Sequence, residues 1–96
     1  MRRCYIVSYD ISDDKRLRKV FKAMKGFGVH IQYSVFRVEC SRMEFIRMKM
    51  ILNEIIHHDD DQILCIDLGP APGRADQCIE SLGKSYIPPE RRVKIL

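Results

Sequence analysis

Tyr5-Ile-Val-Ser-Tyr-Asp10 reads as a buried strand that runs straight into a lone carboxylate. Its β-branched and aromatic residues suit a pleated, packed surface. Ile11-Ser-Asp-Asp-Lys-Arg-Leu-Arg-Lys19 follows at once and starts a helix crowded with positive charge. A carboxylate at a strand end can carry a hard metal ion, and nearby cations can hold phosphates. The pairing points toward nucleic-acid chemistry.

Working outward, residues 3–10 are predicted as the first strand. Ser12 or Asp13 caps the helix behind it, and Asp13 and Asp14 suit its positive end. Leu17, Val20, Phe21 and Met24 recur at helical spacing on one arc. Lys15, Arg18, Lys19, Lys22 and Lys25 fill the opposite arc, and Gly26 and Gly28 end the helix. His30 to Cys40 is extended, with Ile31, Tyr33 and Val35 alternating against Gln32, Ser34 and Phe36. A second helix runs from about Ser41 to His57. Ser41 and Glu44 match a capping box, and Phe45, Met48, Leu52 and Ile55 form its buried stripe.

Asp61 to Leu68 is apolar enough to be a central strand. Gly69-Pro-Ala-Pro-Gly-Arg74 is a turn. Gln77 to Lys84 reads as either a short strand or a helical turn and is assigned as a strand, with Arg91 to Leu96 as a last one after the extended Pro88-Pro89. The order implies an α+β sandwich, with two helices on one face of a mainly antiparallel sheet. A ferredoxin-like fold needs two strands between its helices. A bend or bulge near Tyr33-Ser34 would divide His30 to Cys40 into two pieces and supply them.

The chain of 96 residues makes one domain, 1–96. A chain this short buries roughly 60–68% of its unfolded surface, so oligomerisation would supplement a modest core. Lys and Arg number 17 against 13 Asp and Glu, a net charge of +4 that suits a polyanionic partner. Cys4, Cys40, Cys65 and Cys78 contain no C-x-x-C pair, which argues against zinc and for free thiols in a reducing cytoplasm. Asp10 follows the first apolar run too soon for a signal peptide. No apolar run approaches the ~20 residues that span a bilayer, so no membrane role is expected.

Asp10 has two readings, a strand-end turn residue or a metal ligand. Mg²⁺ typically takes one or two protein carboxylates and keeps several waters. A two-fold dimer would bring two copies of Asp10 together. Asp13 and Asp14 read as cap residues rather than metal ligands. The basic arc, which includes Arg18, Lys19 and Lys22, is either a solvated face or a phosphate-binding surface. Like charges at Lys15–Lys19 and Arg18–Lys22 disfavour the helix slightly, a cost that a polyanion would offset. His57-His58-Asp59-Asp60-Asp61 reads as the loop after the second helix rather than a metal cluster. Tyr9 and Phe36 are core aromatics, or they steady a substrate beside the basic surface.

Three segments together resemble one family. They are Tyr9-Asp10-Ile11-Ser12-Asp13-Asp14-Lys15-Arg16, Gly28-Val29-His30-Ile31-Gln32-Tyr33-Ser34-Val35-Phe36 and Ile63-Leu64-Cys65-Ile66-Asp67-Leu68-Gly69. The family is the CRISPR-associated endonucleases, the small non-integrase subunit of the CRISPR adaptation machinery. The likeness covers roughly residues 1–70 in order.

The resemblance implies a ferredoxin-like fold and a homodimer whose C-terminal strands pack on the partner, here a tail over residues 85–96. It implies Asp10 as the catalytic carboxylate and Mg²⁺ ligand, shared across the dimer axis. Arg16 and Arg18 are implied in nucleic-acid contact, with Lys19 and Lys22 beside them and Tyr9 and Phe36 in support. Leu17 and His30 depart from the arginines that relatives often carry.

The function implied is spacer acquisition with Mg²⁺-dependent cleavage of RNA or DNA. A non-catalytic DNA-binding scaffold between integrase subunits is the alternative, and a ribonuclease toxin of related fold a further one. A small-molecule regulator of the same fold lacks any recognisable ligand motif here.

Overall fold

The computed structural model of the chain describes residues 1–72 and 74–86. Its elements run β1 (Arg3–Asp10), α1 (Asp14–Lys25), β2 (Val29–Gln32), β3 (Val35–Cys40), α2 (Arg42–Ile55), β4 (Gln62–Pro70) and a short α3 (Arg74–Cys78). The strands form one antiparallel sheet in the order β2-β3-β1-β4. With α1 and α2 packed on one face, this is the ferredoxin-like α+β sandwich.

Side chains alternate along β1, so Tyr5, Val7 and Tyr9 face the helices. Val7, Val20, Met24, Phe36, Val38 and Met48 are fully buried between the layers. Tyr5 stacks on Phe45 of α2 with ring centroids 4.0 Å apart. The helix starts are fixed locally. The Asp13 carboxylate accepts the Arg16 N–H at 2.9 Å, and Ser41 and Glu44 form the reciprocal capping box. After α1 the chain passes close to β3. A methyl group at Gly28 would sit 2.5 Å from the Arg37 carbonyl oxygen and 2.7 Å from the Val38 side chain, so glycine is required there.

His30 to Cys40 divides at Tyr33-Ser34, where a turn joins β2 to β3. Tyr33 has φ 36°, in the left-handed region that non-glycine residues seldom occupy. The turn also breaks the single alternation expected through residues 31–36. Tyr33 projects into solvent, whereas Phe36 enters the core.

Two expectations are corrected. β4 is an edge strand among the described residues, not a central one. Its Leu64 and Ile66 remain 50% and 48% exposed, so its apolar composition marks an open face rather than burial on both sides. Gln77 to Lys84 is not a strand, because α3 ends at Cys78 and no regular structure follows through Tyr86. Arg37 supplies the reason. It is buried on the side of β3 away from the helices and donates to Asp76 and to the Tyr86 hydroxyl, each at 2.8 Å, and to Glu39 at 2.6 Å. These bonds hold the segment as a cap over one end of the sheet. Pro88-Pro89, the strand expected from Arg91 to Leu96 and nearly all of the tail over 85–96 lie outside the described residues. No helix among the described residues is long and apolar enough to cross a membrane.

Candidate functional site

The face of the sheet opposite the helices carries Ile6, Ser8 and Asp10 from β1. The register sets Ile66 across from Ile6, Leu64 across from Ser8 and Gln62 across from Asp10. α3 and Tyr86 cover the far end of this face, above Cys4 and Arg37. The end that carries Asp10 stays open. Asp10 is exposed, and its carboxylate makes no hydrogen bond or ion pair with a described residue. An unpaired carboxylate beside exposed aliphatic residues is costly to bury alone, and it acquires a use if a cation or a second copy meets it.

The exposed cations of α1 lie on the helical side. Arg18, Lys19 and Lys22 line a shallow groove of about 250 Å³ on α1, together with Lys15. Arg16 does not join them. Its Nε donates to Asp61 Oδ2 at 2.7 Å, and an amino nitrogen reaches Asp61 Oδ1 and Ser12 Oγ, each at 3.2 Å. The Asp61 side chain is 0% exposed and that of Arg16 26%. Asp61 also accepts the backbone N–H groups of Ser12 at 3.0 Å and His57 at 2.8 Å. Arg16, then the backbone donors of His57 and Ser12, hold the Asp61 carboxyl well below the usual carboxylate range. This bracket ties the loop that follows Asp10 to the connection between α2 and β4.

Tyr9 and Phe36 sit together inside, with ring centroids 6.2 Å apart. Phe36 is fully enclosed and can influence a ligand through the rings packed on it, Tyr9 and Phe21. The His57–Asp61 run is a loop. His57 pairs with Asp60 at 3.2 Å, and the described residues contain no group of three His, Cys, Asp or Glu side chains able to hold a metal. Cys4, Cys40, Cys65 and Cys78 are free thiols.

Sequence reasoning missed Asp61, Arg37, Phe21 and Tyr33 as positions that shape the site. Asp61 looks the same as Asp59 and Asp60 in the sequence. Tyr33 did carry a signal, since it lies within the Gln32-Tyr-Ser-Val-Phe36 stretch.

The family model for CRISPR associated protein Cas2 matches residues 3–74. The chain is 42% identical over 96 residues to a CRISPR-associated endoribonuclease Cas2 of Geobacter sulfurreducens, covering 100% of both proteins. It is 45% identical over 92 residues to a second CRISPR-associated endoribonuclease Cas2, of Rhodospirillum rubrum, covering 96% of this chain and 89% of that protein. Among solved structures, Streptococcus pyogenes Cas2 superposes with a TM-score of 0.71 at 29% identity, over 83% of this chain and 99% of that one.

Proposed function

The chain belongs to the CRISPR associated protein Cas2 family, and from that premise we propose that it is a CRISPR endonuclease acting as a two-fold homodimer. It hydrolyses phosphodiester bonds, with Asp10 as the carboxylate nearest the reacting phosphate. The names of its relatives favour RNA as the strand that is cut. The observation that carries this reading is the unpaired Asp10 on the same sheet face as Ile6, Leu64 and Ile66. A second copy covering that apolar patch brings a second Asp10 to the same side.

Asp10 fits Mg²⁺ on the chemistry of its donor atoms. One exposed hard-oxygen ligand per chain is too few for a closed protein cage but suits an ion that keeps its waters and takes substrate phosphate. When bound, Mg²⁺ would polarise a phosphoryl oxygen and acidify an attacking water. The chain's own residues do the rest. Lys15, Arg18, Lys19 and Lys22 draw the polyanion in and hold its backbone. The Arg16–Asp61 bracket fixes the loop that continues from Asp10, which limits the positions its carboxylate can take. Ile6, Leu64 and Ile66 lose water against the partner chain and so lower the local dielectric around the acidic pair.

One observation supports a second reading. The cationic groove lies on the helical side of the sheet and Asp10 on the other. A subunit that only binds DNA and bridges integrase subunits during spacer acquisition needs the groove but not the carboxylate. A cleavage assay on single-stranded RNA with Mg²⁺, comparing wild type with Asp10→Asn, separates the two. The nuclease reading expects a loss of about 100-fold or more, typical of removing a group that acts in the transition state. Unchanged cleavage in Asp10→Asn would remove Asp10 from the chemistry.

A further inference from the structure

Beside the cationic groove lies a second depression of different character. Tyr9, Leu17, Arg18, Phe21, Tyr33 and Ser34 line an open hollow of about 470 Å³, within the roughly 300–1,000 Å³ of small-molecule sites. Leu17 and Phe21 project from α1, Tyr9 rises from the sheet, and the β2–β3 turn contributes Tyr33 and Ser34. Arg18 lines both this hollow and the groove of Lys15, Lys19 and Lys22, so the two are continuous.

The two tyrosines of the hollow differ, since Tyr9 belongs to the core and Tyr33 does not. Tyr33 is 89% exposed, an unusual state for an aromatic ring that lines an apolar depression. Its backbone is nevertheless pinned, because His30 Nε2 donates to the Tyr33 carbonyl oxygen at 2.6 Å. The ring is therefore presented on an anchored turn. Tyr9 is the reverse case. It is nearly buried, and its hydroxyl, which has no hydrogen-bond partner among the described residues, stays open to solvent. It lines the hollow, and a phenol hydroxyl can donate a hydrogen bond.

We propose that this hollow is a subsite for one unpaired nucleobase of a strand whose phosphates run along Lys15, Arg18, Lys19 and Lys22. The charge of the groove selects a polyanion, and the aromatic walls select its flat, apolar part. Tyr33 stacks on the base from the mouth, and every base has a face that can accept this, so the subsite is tolerant of sequence. Tyr9 donates to an acceptor on the base edge. Arg18 spans the junction and holds the phosphate of the same nucleotide. A base within a duplex would first have to leave its stack and its partner, so the subsite favours single strands. This inference rests on the reading of the chain as a nucleic-acid-acting protein and adds to it where one base is held.

The test is fluorescence anisotropy with a short labelled single strand and the same strand made entirely of abasic nucleotides. Wild type should bind the intact strand about 5-fold or more tightly than the abasic one, the range expected of one stacked base. Tyr33→Ala should remove that preference and Tyr33→Phe should keep it. The Tyr33 ring is exposed, so neither change disturbs the core. Lys19→Glu should weaken both strands alike. Equal binding of both strands by wild type, or a preference that survives Tyr33→Ala, would overturn the subsite while leaving the nucleic-acid reading intact. Failure of wild type to bind either strand would overturn both.

Discussion

The two faces of the sheet are built from the same strands and do opposite things. The helical face carries Tyr5, Val7, Phe36 and Val38 under α1 and α2, and it closes on itself. The other face carries Ile6, Leu64 and Ile66, which are apolar but unfinished, with Asp10 at their margin. A period of two makes this possible, since each strand supplies both faces at once. Stability is concentrated on one side, which leaves the other free to hold groups that do nothing for the single chain.

If that division is right, substitutions on the two faces should fail differently. The largest effect is expected on the covered side. Phe36→Ala empties a fully enclosed position and should cost about 3–5 kcal/mol, enough to unfold much of a domain this size. Chemical denaturation would measure it. A loss below 1 kcal/mol would mean that the site collapses or is not enclosed.

Asp61→Asn tests the bracket that ties the loop after Asp10 to the connection between α2 and β4, and its effect should be intermediate. Arg16 then loses its carboxylate, and Tm should fall by roughly 10 °C. The acid side adds a sharper check. The folded carboxyl is held below its unfolded value, so its contribution is present above that value and fades as the pH falls below about 4. Wild type should lose stability over this acid range, and Asp61→Asn should lose less. Equal acid sensitivity in thermal melts of the two proteins would show that another group is responsible.

The smallest stability effect is expected on the open face. Ile66→Asp exposes a charge where the side chain is already half in water, so the Tm of a single chain should shift by no more than a few degrees. Its self-association, read by sedimentation, should weaken by about 30-fold or more if the patch is the dimer contact. A large Tm loss without a change in association would reverse the assignment of the two faces.

Much of this layout was legible in the sequence because it is local. The run from Tyr5 to Asp10, the Asp13 cap, the helical spacing of Leu17 to Met24 and the break at Tyr33-Ser34 each depend on near neighbours. What was not legible depends on residues distant in the chain. Arg16 and Arg18 look equivalent in Lys15-Arg-Leu-Arg-Lys19, yet Asp61 captures one of them from 45 residues away. Arg37 interrupts an apolar strand as an exposed residue would, but Asp76 and Tyr86 enclose it. β4 reads as central because apolar content cannot tell a strand paired on both edges from an edge strand whose apolar side chains stay half exposed. The candidate carboxylate and its basic neighbours were therefore readable, whereas their separation onto two sides of the sheet was not.

The claim that the open face works as a pair is tested most directly by Mg²⁺-dependent cleavage with Ile66→Asp, which keeps Asp10 and every cation of α1. At protein concentrations where wild type is associated and the variant is a folded single chain, wild type should cleave the strand and the variant should not. Equal cleavage per chain by the isolated Ile66→Asp protein would contradict the account, because one Asp10 would then suffice.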